Sequence, residues 1–558
     1  MNIEQQRAQL ISTLWSLKSA IGKHPSGIDV WGYVHFMSML KDMDYRRTIL
    51  AAAAKSTVPK IRRLAEEASK IDLPGQLVGR SEDVSGMLIS PNDHSGKSDR
   101  DERLSNNSPE HAKRIISTGW SKQRRFYTTL VLLTVFVFSS VVSALSLWIG
   151  GSNDKYVSGS ISESVVWTPD RKYILDGLVF VESGAILTIK PGTVVTGKPG
   201  SALIITRDGS INAQGSRESP IIMTSAQPVG KRQRGDWGGL VLLGNAPINT
   251  GAGHIEGIDQ NDPRGGYGGN ADAESCGVLK YVRIEFAGYE ISQDNELNGL
   301  TVGGCGSGTI LSHIQVHMGL DDGIEFFGGT ANLKYVLISR PGDDGLDWDR
   351  GWQGKGQFII VHQGPDSGDN AIEADNYVED KNAKPRSAPQ LSNVTLVGSG
   401  DRKIAQRGLL LRRGTGGDLR NFLVTGFTTE AVDIRDQETV ALVKTEELKA
   451  SGWLIINPQK QFFSQESGES DDDGGFLEQP WIESASNSNL LSNRQILSGL
   501  EGLGVVPSFV PPVDSAAEKN PVPILQDEFW DEGANYIGAL RPGERVSWLD
   551  GWTAYPLN

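Results

Sequence analysis

The sequence predicts a mainly β protein, built as a right-handed parallel β-helix that follows one transmembrane helix and a small α-helical cytoplasmic domain. Three observations lead to this fold class. Residues 126–149 form an uncharged apolar segment of membrane-spanning length. Short β-branched runs recur after residue 154 with a period of 22 to 26 residues. Apolar residues before position 73 recur at helical spacing.

The predicted transmembrane helix, residues 126–149, carries no charge, and the uncharged stretch extends from Arg125 to Asp154. Five basic and no acidic residues occupy positions 111–125. The positive-inside rule therefore predicts a single pass with the N-terminus in the cytoplasm and the C-terminal domain in the periplasm or outside the cell. A cleaved signal peptide is the alternative, but its apolar region is shorter and lies at the extreme N-terminus.

The inner segment is predicted to hold a helical cytoplasmic domain at residues 1–73 and a flexible linker at 74–119, followed by a basic flank and the membrane helix at 120–153. The helical domain contains three amphipathic runs, within residues 3–21, 30–55 and 57–71. Two interpretations stay open: a self-contained three-helix bundle, or helices completed by a protein partner or a second copy.

Charge separates the two sides of the membrane. Residues 1–125 hold 20 Lys and Arg against 14 Asp and Glu, so their net charge is +6, and residues 126–558 hold 34 against 54, for −20. The basic inner segment suits an anionic membrane surface or an acidic partner. The acidic outer part excludes nucleic acid as a ligand and is compatible with divalent cations.

The outer domain, residues 154–440, alternates two series of short strands. One series contains segments such as LKYVRIEFAG and LKYVLISRPG, and the other contains DDGIEFFGG and DDGLDWDRG. Strands repeated at this period stack in parallel on the next coil, about 4.8 Å away. Residues 257–273 and 376–389 interrupt the period and are predicted to project as insertions. Residues 441–558 lose the period and are predicted to cap the exposed edge of the coil.

The two cysteines of the chain, Cys276 and Cys305, both fall in the outer domain. An oxidising compartment would allow them to form a disulfide. Two buried free thiols are the alternative, because spacing alone does not establish the required Cα separation.

Acidic residues of successive repeats align in columns, and a row of like charges this close needs cations, basic neighbours or protonation. The aligned residues, all acids except Asn370, are Asp321, Asp343 and Asp369, then Asp322, Asp344 and Asn370, then Glu325, Asp347 and Glu373. The same alignment places His317, Arg340 and His362 together, just before the turn.

Three interpretations of these columns stay open. Acidic and basic columns balance each other, with turn aspartates capping backbone amides. Alternatively, the eight carboxylates named above hold Ca²⁺. In the third interpretation the site cleaves a polysaccharide, with catalytic candidates Asp322, Asp344, His317, Arg340 and His362. No phosphate-binding loop, zinc signature or serine-nucleophile motif occurs in the sequence, which weakens the enzyme interpretation.

Several segments resemble a family of bacterial secreted or lipid-anchored β-helix proteins, mostly without assigned activity. The segments are GDWGGLVLLGNAPIN, LKYVRIEFAGYE, DNELNGLTVGGCGSGT, LDDGIEFFGGT, GKGQFIIVHQGPDSGDNAIEADN, NYIGALRPG and WLDGWTAY. The resemblance covers roughly residues 160–558 and implies a parallel β-helix. The predicted cytoplasmic domain and membrane helix depart from the family pattern. They suggest that the β-helix is connected to a component inside the cell.

We therefore expect a membrane-anchored β-helix in the bacterial cytoplasmic membrane that binds or scaffolds within an assembly. Its helical domain and membrane helix would contact a protein partner, and a glycan is a candidate ligand of the outer domain. No cofactor other than Ca²⁺ is expected. The alternative function is a membrane-anchored polysaccharide lyase or hydrolase that uses the acidic columns.

Overall fold

The computed structural model describes residues 10, 13, 14, 17, 43–71, 153–292, 295–400, 404–457, 462–463, 472–498, 500 and 507–558. The predicted linker and the predicted membrane helix at 126–149 lie outside these residues. Among the helices that the structure describes, none has the length and apolar character needed to cross a membrane.

Twenty-eight strands are described, and most of them are short. The first fourteen are β1 (Asp154–Ile161), β2 (Val165–Trp167), β3 (Lys172–Val181), β4 (Ile186–Ile189), β5 (Val194–Gly197), β6 (Ala202–Ile205), β7 (Ser210–Gln214), β8 (Ile221–Ser225), β9 (Leu240–Leu243), β10 (Gly253–His254), β11 (Gly266–Tyr267), β12 (Gly277–Glu285), β13 (Glu290–Ser292) and β14 (Asn295–Glu296). The others are β15 (Leu300–Gly303), β16 (Ile310–His317), β17 (Ile324–Phe327), β18 (Asn332–Ser339), β19 (Leu346–Asp349), β20 (Lys355–His362), β21 (Asn370–Ala374), β22 (Gln390–Val397), β23 (Arg407–Leu411), β24 (Gly417–Thr425), β25 (Glu430–Ile434), β26 (Leu448–Ser451), β27 (Leu454–Ile456) and β28 (Leu490–Ser492).

Twenty-four of these strands form one sheet in which every described pairing is parallel, as predicted for a parallel β-helix. Early coils such as that of β7, β8 and β9 contain three short strands, whereas each coil from β12 to β25 contributes one long and one short strand. The long strands β12, β16, β18, β20, β22 and β24 stack in that order. The short strands β9, β15, β17, β19, β21, β23 and β25 stack in a second ladder, called here the short-strand face.

Each long strand bends at one residue of positive φ, and these bending residues lie above one another. They are Tyr281, His313, Tyr335, Phe358, Asn393 and Asn421. Non-glycine residues rarely adopt this conformation, which asparagine tolerates better than most. The rings at the first four positions stack, with centroids 4.2 Å apart for Tyr281 and His313 and 4.5 Å apart for His313 and Tyr335. The bend thus divides each long strand between two faces of the coil.

The core is a continuous column of apolar side chains inside the coils, including Phe326, Trp348 and Trp352. Close packing explains the glycine that precedes the short strands at positions 299, 323 and 345. A Cβ on Gly323 would lie 2.3 Å from Ile338 Cγ2. Any residue larger than glycine would therefore clash with Ile338 unless the core rearranged.

The N-terminal part of the described chain is helical. Helix α1 spans Met43–Ala53 and α2 spans Pro59–Ser69, so the predicted third run is confirmed. Helix α2 buries Ile61, Leu64, Ala65 and Ala68, as its amphipathic pattern indicates. Leu10, Leu14 and Leu17 are also helical and buried. The rest of the two earlier runs lies outside the described residues.

The insertion at 257–273 does not project freely, contrary to the prediction. Ile258 and Tyr267 are buried in a cluster with residues of β6 and β9 on the outer side of the short-strand face. The second insertion also packs inward, since Asn376 and Ser387 are fully buried. Its Tyr377 is half-buried and lies 5.2 Å from the Arg350 guanidinium, measured to the ring centroid. The insertions are therefore part of the coil's covering.

Residues 441–558 also differ from the predicted cap. Strands β26, β27 and β28 continue the parallel stacking beyond residue 440, and helices α3 (Gln437–Lys444) and α4 (Glu478–Ile482) lie in this region. The C-terminal segment, residues 507–558, crosses the stacked long strands from β24 back to β12. Val522 bonds to Asn421 of β24, whereas Ala554 bonds to Gln315 of β16.

Apolar contacts hold the C-terminal segment on the coils. Outward-facing residues of the long strands, such as Leu337, Ile360 and Leu423, are buried against Ile537 and Leu540. Burying a side chain of this size contributes about 1.5–3 kcal/mol. The segment therefore covers the side of the β-helix formed by the long strands, which the predicted cap at the end of the coil did not include.

Cys276 and Cys305 form a disulfide, with Cα atoms 5.8 Å apart and a sequence separation of 29. Cys276 immediately precedes β12 and Cys305 follows β15, so the bond joins the start of one coil to its end. Both residues are buried in the core. The structure thus confirms the disulfide and excludes the alternative of two buried free thiols.

Candidate metal centre

The predicted acidic column lies on the outer side of the short-strand face. Glu325 of β17 pairs with Asp347 of β19, which pairs with Glu373 of β21. Side chains alternate along a strand, so the neighbouring Phe326 and Trp348 point into the core while these three acids point outward. The predicted alignment of these acids is therefore confirmed.

A second column precedes the short strands and is more deeply buried. Asp322, Asp344 and Asn370 are 7%, 5% and 1% exposed. Asp322 Oδ1 accepts the backbone N–H of Asp344 at 2.9 Å, and Asp344 Oδ1 accepts that of Asn370 at 2.6 Å. Each carboxylate thus binds the turn of the next coil. Turn capping, the first of the three interpretations, accounts for one oxygen of each.

Two overlapping groups of three carboxylates result, each with ligand atoms within 4.8 Å of one another. The first triad is Asp322, Glu325 and Asp347; the second triad is Asp344, Asp347 and Glu373. Asp347 belongs to both. Of the predicted metal ligands, Asp321, Asp343 and Asp369 belong to neither triad, although the backbones of Asp343 and Asp369 follow the same stacking.

The two triads differ in how their charge is balanced. In the second triad Glu373 forms an ion pair with Arg412, whose Nε also lies 2.8 Å from Asp375. In the first triad Glu325 accepts a bond from the neutral amide of Asn298 at 2.6 Å. Across the part of the chain that the structure describes, neither Glu325 nor Asp347 has an ion pair. Among the described residues, the charges of Glu325 and Asp347 are therefore less compensated than that of Glu373.

Burial and mutual repulsion disfavour ionisation of these acids. Burial, followed by the charges of Asp322 and Glu256, raises the pKa of Glu325 well above its usual value. Burial, followed by Glu325 and Glu373, does the same for the pKa of Asp347. Burial also raises the pKa of Glu373 to about 7, although Arg412 opposes the shift.

Asp347, the residue common to both triads, has one oxygen atom without a hydrogen-bond donor among the described residues. Its Oδ1 atom is buried and accepts no hydrogen bond in the described structure. A buried carboxylate oxygen without a donor costs free energy unless it is protonated or binds a cation. Carboxylate oxygens are the ligands that hard cations such as Ca²⁺ prefer. The residues of the first triad therefore fit a divalent cation.

The predicted basic partners do not join this site. His317 pairs with Ser339, and Ser339 pairs with His362, so the prediction that placed Arg340 in line with the two histidines is wrong by one residue. Arg340 lies at the following corner, at positive φ, where its N–H bonds to His362 O at 2.7 Å.

Both histidines are covered by other parts of the chain. His317 bonds to Ser339 Oγ through Nδ1 and to Pro556 O through Nε2, each at 2.8 Å, and His362 Nε2 lies 3.3 Å from Leu500 O. Burial lowers the pKa of His317 to about 3 and that of His362 to about 4. Both are therefore neutral at pH 7, and their contacts are structural.

Four residues of the site escaped the sequence reasoning: Asn298, Asp349, Asp375 and Arg412. Asn298 precedes Gly299 as Asp322 precedes Gly323, so the repeat contained its signal. Asp349 also follows from strand alternation, because it lies two residues after Asp347. Burial raises its pKa to about 6. No sequence pattern pointed to Arg412.

The fold and this carboxylate site define a β-helix protein with an acidic outer face. A sequence model of the family described as the pectate-lyase like beta helix domain matches residues 159–489, more than half of the chain. The chain belongs to this family. No curated protein and no solved structure matches it. The resemblance seen in the sequence is thereby confirmed as a β-helix family, while bacterial origin and secretion or lipid anchoring stay predictions.

Proposed function

We propose that this chain is a membrane-anchored β-helix that binds a divalent cation, preferentially Ca²⁺, at its first triad, and acts as a binding or scaffolding module. The observation that carries the proposal is the first triad, in which two outward acids without ion pairs lie within metal-ligand distance of Asp322. Cation binding would remove the repulsion and supply a positive centre for an acidic or hydroxyl-rich ligand.

The membrane part of the proposal rests on the sequence. Residues 126–149 would anchor the chain with its N-terminus in the cytoplasm and its β-helix in the periplasm or outside the cell. The Cys276–Cys305 disulfide supports an oxidising location for the β-helix, because such bonds are rare in reducing compartments. The helical domain and the membrane helix would supply the contact with a protein partner.

Calcium titration of the full chain in mild detergent tests the cation site. Isothermal titration calorimetry should detect Ca²⁺ binding to the wild type. Asp347→Asn should weaken that binding at least about tenfold, since it removes a charged ligand common to both triads. Asp154→Asn, a matched change of an exposed acid, should have no effect. Equal calcium affinity in the wild type and Asp347→Asn, or no binding to the wild type, would reject the site.

The scaffolding role needs a separate measurement. Native mass spectrometry after mild extraction should show fixed protein partners bound to the full chain. Deleting residues 1–73 should release those partners while leaving calcium affinity unchanged, because the triads lie in the β-helix. A lone monomer would contradict the scaffolding role and leave the cation site standing.

Polysaccharide cleavage is the second candidate function. Family membership favours it, together with Glu373, whose pKa of about 7 suits proton transfer and whose carboxylate pairs with Arg412. The family description makes pectate the first substrate to test. Product formation with Ca²⁺ present should be lost in Asp344→Ala and Glu373→Gln. Absence of turnover in the wild type across acidic and neutral glycans would reject this candidate.

A further inference from the structure

A basic cleft lies on the chain outside the carboxylate triads. Its volume is about 380 Å³, and its walls come from the loop after β8, the turn after β16 and the last described residues. The lining residues are Gly230, Lys231, Arg232, Gln233, Arg234, Met318, Leu320, Leu557 and Asn558. This volume falls within the range of small-molecule sites and suits a molecule of monosaccharide size.

The charge of the cleft is opposite to that of the domain around it. Three of its nine lining residues are Lys or Arg and none is Asp or Glu, although the whole chain carries −14. Met318 and Leu320 add apolar surface between the cations. A concave wall with one sign of charge attracts ligands of the opposite sign. The charged side chains that line the cleft are all basic.

The two arginines of the cleft are held in place by different partners. Arg234 pairs with Asp366 at 2.9 Å and also donates to Arg340 O at 3.2 Å. Arg232 donates to two neutral oxygens, Gln227 O at 3.2 Å and Thr224 Oγ1 at 3.4 Å. No ion pair involving Arg232 exists among the described residues. Its charge is thus oriented by the protein without being neutralised by a carboxylate in contact.

The loop that carries these cations is also well supported. Asp236 Oδ2 accepts bonds from Ser225 Oγ at 2.5 Å and from Gln233 N at 2.9 Å. Trp237 is fully buried, with its Nε1 2.9 Å from Glu285 O. A Cβ on Gly235, at φ 74°, would lie 2.7 Å from Leu320 Cδ2, so the loop packs directly against the cleft's apolar wall. A supported loop binds a ligand with little ordering cost.

We infer that this cleft binds a small oxyanion, a phosphate or carboxylate group on a molecule of about sugar size, with Arg232 as its main charged contact. Lys231 and Arg234 add positive potential around the anion, and Met318 and Leu320 contact its less polar part. Guanidinium groups suit phosphate and carboxylate because they offer paired N–H donors in one plane. The site is separate from the cation triads and does not depend on them.

Saturation-transfer NMR on the full chain in detergent tests the cleft with three probes: glucose 6-phosphate, glucuronate and glucose. Ionic strength is held constant, and EDTA removes divalent cations. At least one anionic probe should bind and glucose should not; the preferred anion then identifies phosphate or carboxylate as the ligand chemistry. Arg232→Gln should weaken anion binding at least about tenfold, through loss of the charge-assisted contact.

Two controls make the result specific. Arg171→Gln removes an exposed arginine elsewhere and should leave anion affinity unchanged. Asp347→Asn should also leave it unchanged, which separates this site from the proposed cation site. Equal binding of glucose, undiminished binding to Arg232→Gln, or no binding of either anion to the wild type would overturn the inference. Unchanged near-UV circular dichroism of Arg232→Gln establishes that its fold is retained.

Discussion

Glu325 and Asp347 occupy equivalent positions on neighbouring coils, paired in register between β17 and β19, and both point out of the same face. Adjacent strands in a sheet lie about 4.8 Å apart, so two ionised carboxylates here repel strongly. Burial raises the pKa of both acids further. Either protonation or a bound cation relieves this repulsion. The two cases predict that the stability of the folded protein changes with pH in opposite directions.

The first prediction concerns the stability of the cation-free protein. In EDTA at pH 7, Asp347→Asn should unfold at a higher urea concentration than the wild type. The substitution removes a negative charge from both triads, and the asparagine side chain has nearly the same shape as aspartate. With Ca²⁺ present the order should reverse, since only the wild type gains the full binding free energy. Asp154→Asn should match the wild type in both conditions. A lower midpoint for Asp347→Asn in EDTA would contradict the repulsion.

The second prediction is a pH dependence whose sign follows from the raised pKa values. Glu373 titrates near pH 7 in the folded protein and near 4.5 when unfolded. Between these values unfolding releases a proton, so stability in EDTA falls as pH rises. The slope is at most about 1.4 kcal/mol per pH unit for each such group. Asp349, with a folded pKa of about 6, adds to the fall at lower pH.

Calcium should change the direction of that dependence, because a cation binds the ionised carboxylates. Urea unfolding at intervals from pH 5 to 7, with EDTA or with saturating Ca²⁺, gives the two profiles. We expect a decline with EDTA and a flat or rising profile with Ca²⁺. Parallel profiles in the two conditions would show that the triads bind no calcium.

The third prediction concerns the attachment of the C-terminal segment at Asn421. Its side chain donates to Val522 O at 2.9 Å and accepts from Val522 N at 2.8 Å, while its backbone has φ 55°. Asn421→Ala should lower the free energy of unfolding by about 2–4 kcal/mol, through two lost hydrogen bonds and a less tolerated conformation. Urea unfolding measures the loss, and limited proteolysis should cleave the C-terminal segment faster.

Asn520 is a matched control for this change. It has φ 57°, is exposed, and makes no side-chain hydrogen bond among the described residues. Asn520→Ala therefore tests the conformational cost alone, which should be about 1–2 kcal/mol. If both variants lost the same stability, the bonds from Asn421 to Val522 would contribute nothing.

The fourth prediction concerns the disulfide. The protein extracted without reductant should take up no alkylating reagent after denaturation, because both cysteines are paired. Replacing Cys276 and Cys305 together by serine should lower the free energy of unfolding by about 3–4 kcal/mol, as expected for a bond that closes a loop of this length. Two alkylated cysteines in the unreduced protein would contradict the pairing.

The stacking of the coils could be predicted because the repeats carry their own register. In each acidic repeat the acid lies two residues after a glycine or alanine, so Glu325, Asp347 and Glu373 align by counting. The same counting failed at Arg340. The next glycine after Ser339 follows Pro341 and comes one residue later than the next glycine after His317 does. Aligning the repeats on this glycine therefore placed Arg340, and not Ser339, beside the two histidines. The right-handed sense of the coil stays a prediction from the general rule for parallel crossovers.

Contacts between distant segments could not be predicted in this way. Nothing local to Tyr267 indicates that it is buried against β9, since a Gly-rich and Asp-rich insertion is typical of an exposed loop. Arg412 neutralises Glu373 from the next coil, and its sequence neighbourhood gives no sign of that pairing. Likewise, the aromatic residues of the C-terminal segment indicated burial without indicating their partners.

The C-terminal segment runs along the axis of the coil, across the long strands. This course affects the order in which the parts of the molecule can fold. Its residues 548–556 contact β12, β16 and β18, which were synthesised more than 200 residues earlier. Those early coils can stack as they emerge, yet their outer apolar and aromatic side chains stay uncovered until the last part of the chain arrives. The newly made β-helix therefore passes through a stage with an exposed apolar flank, which is prone to aggregate until the C-terminal segment covers it.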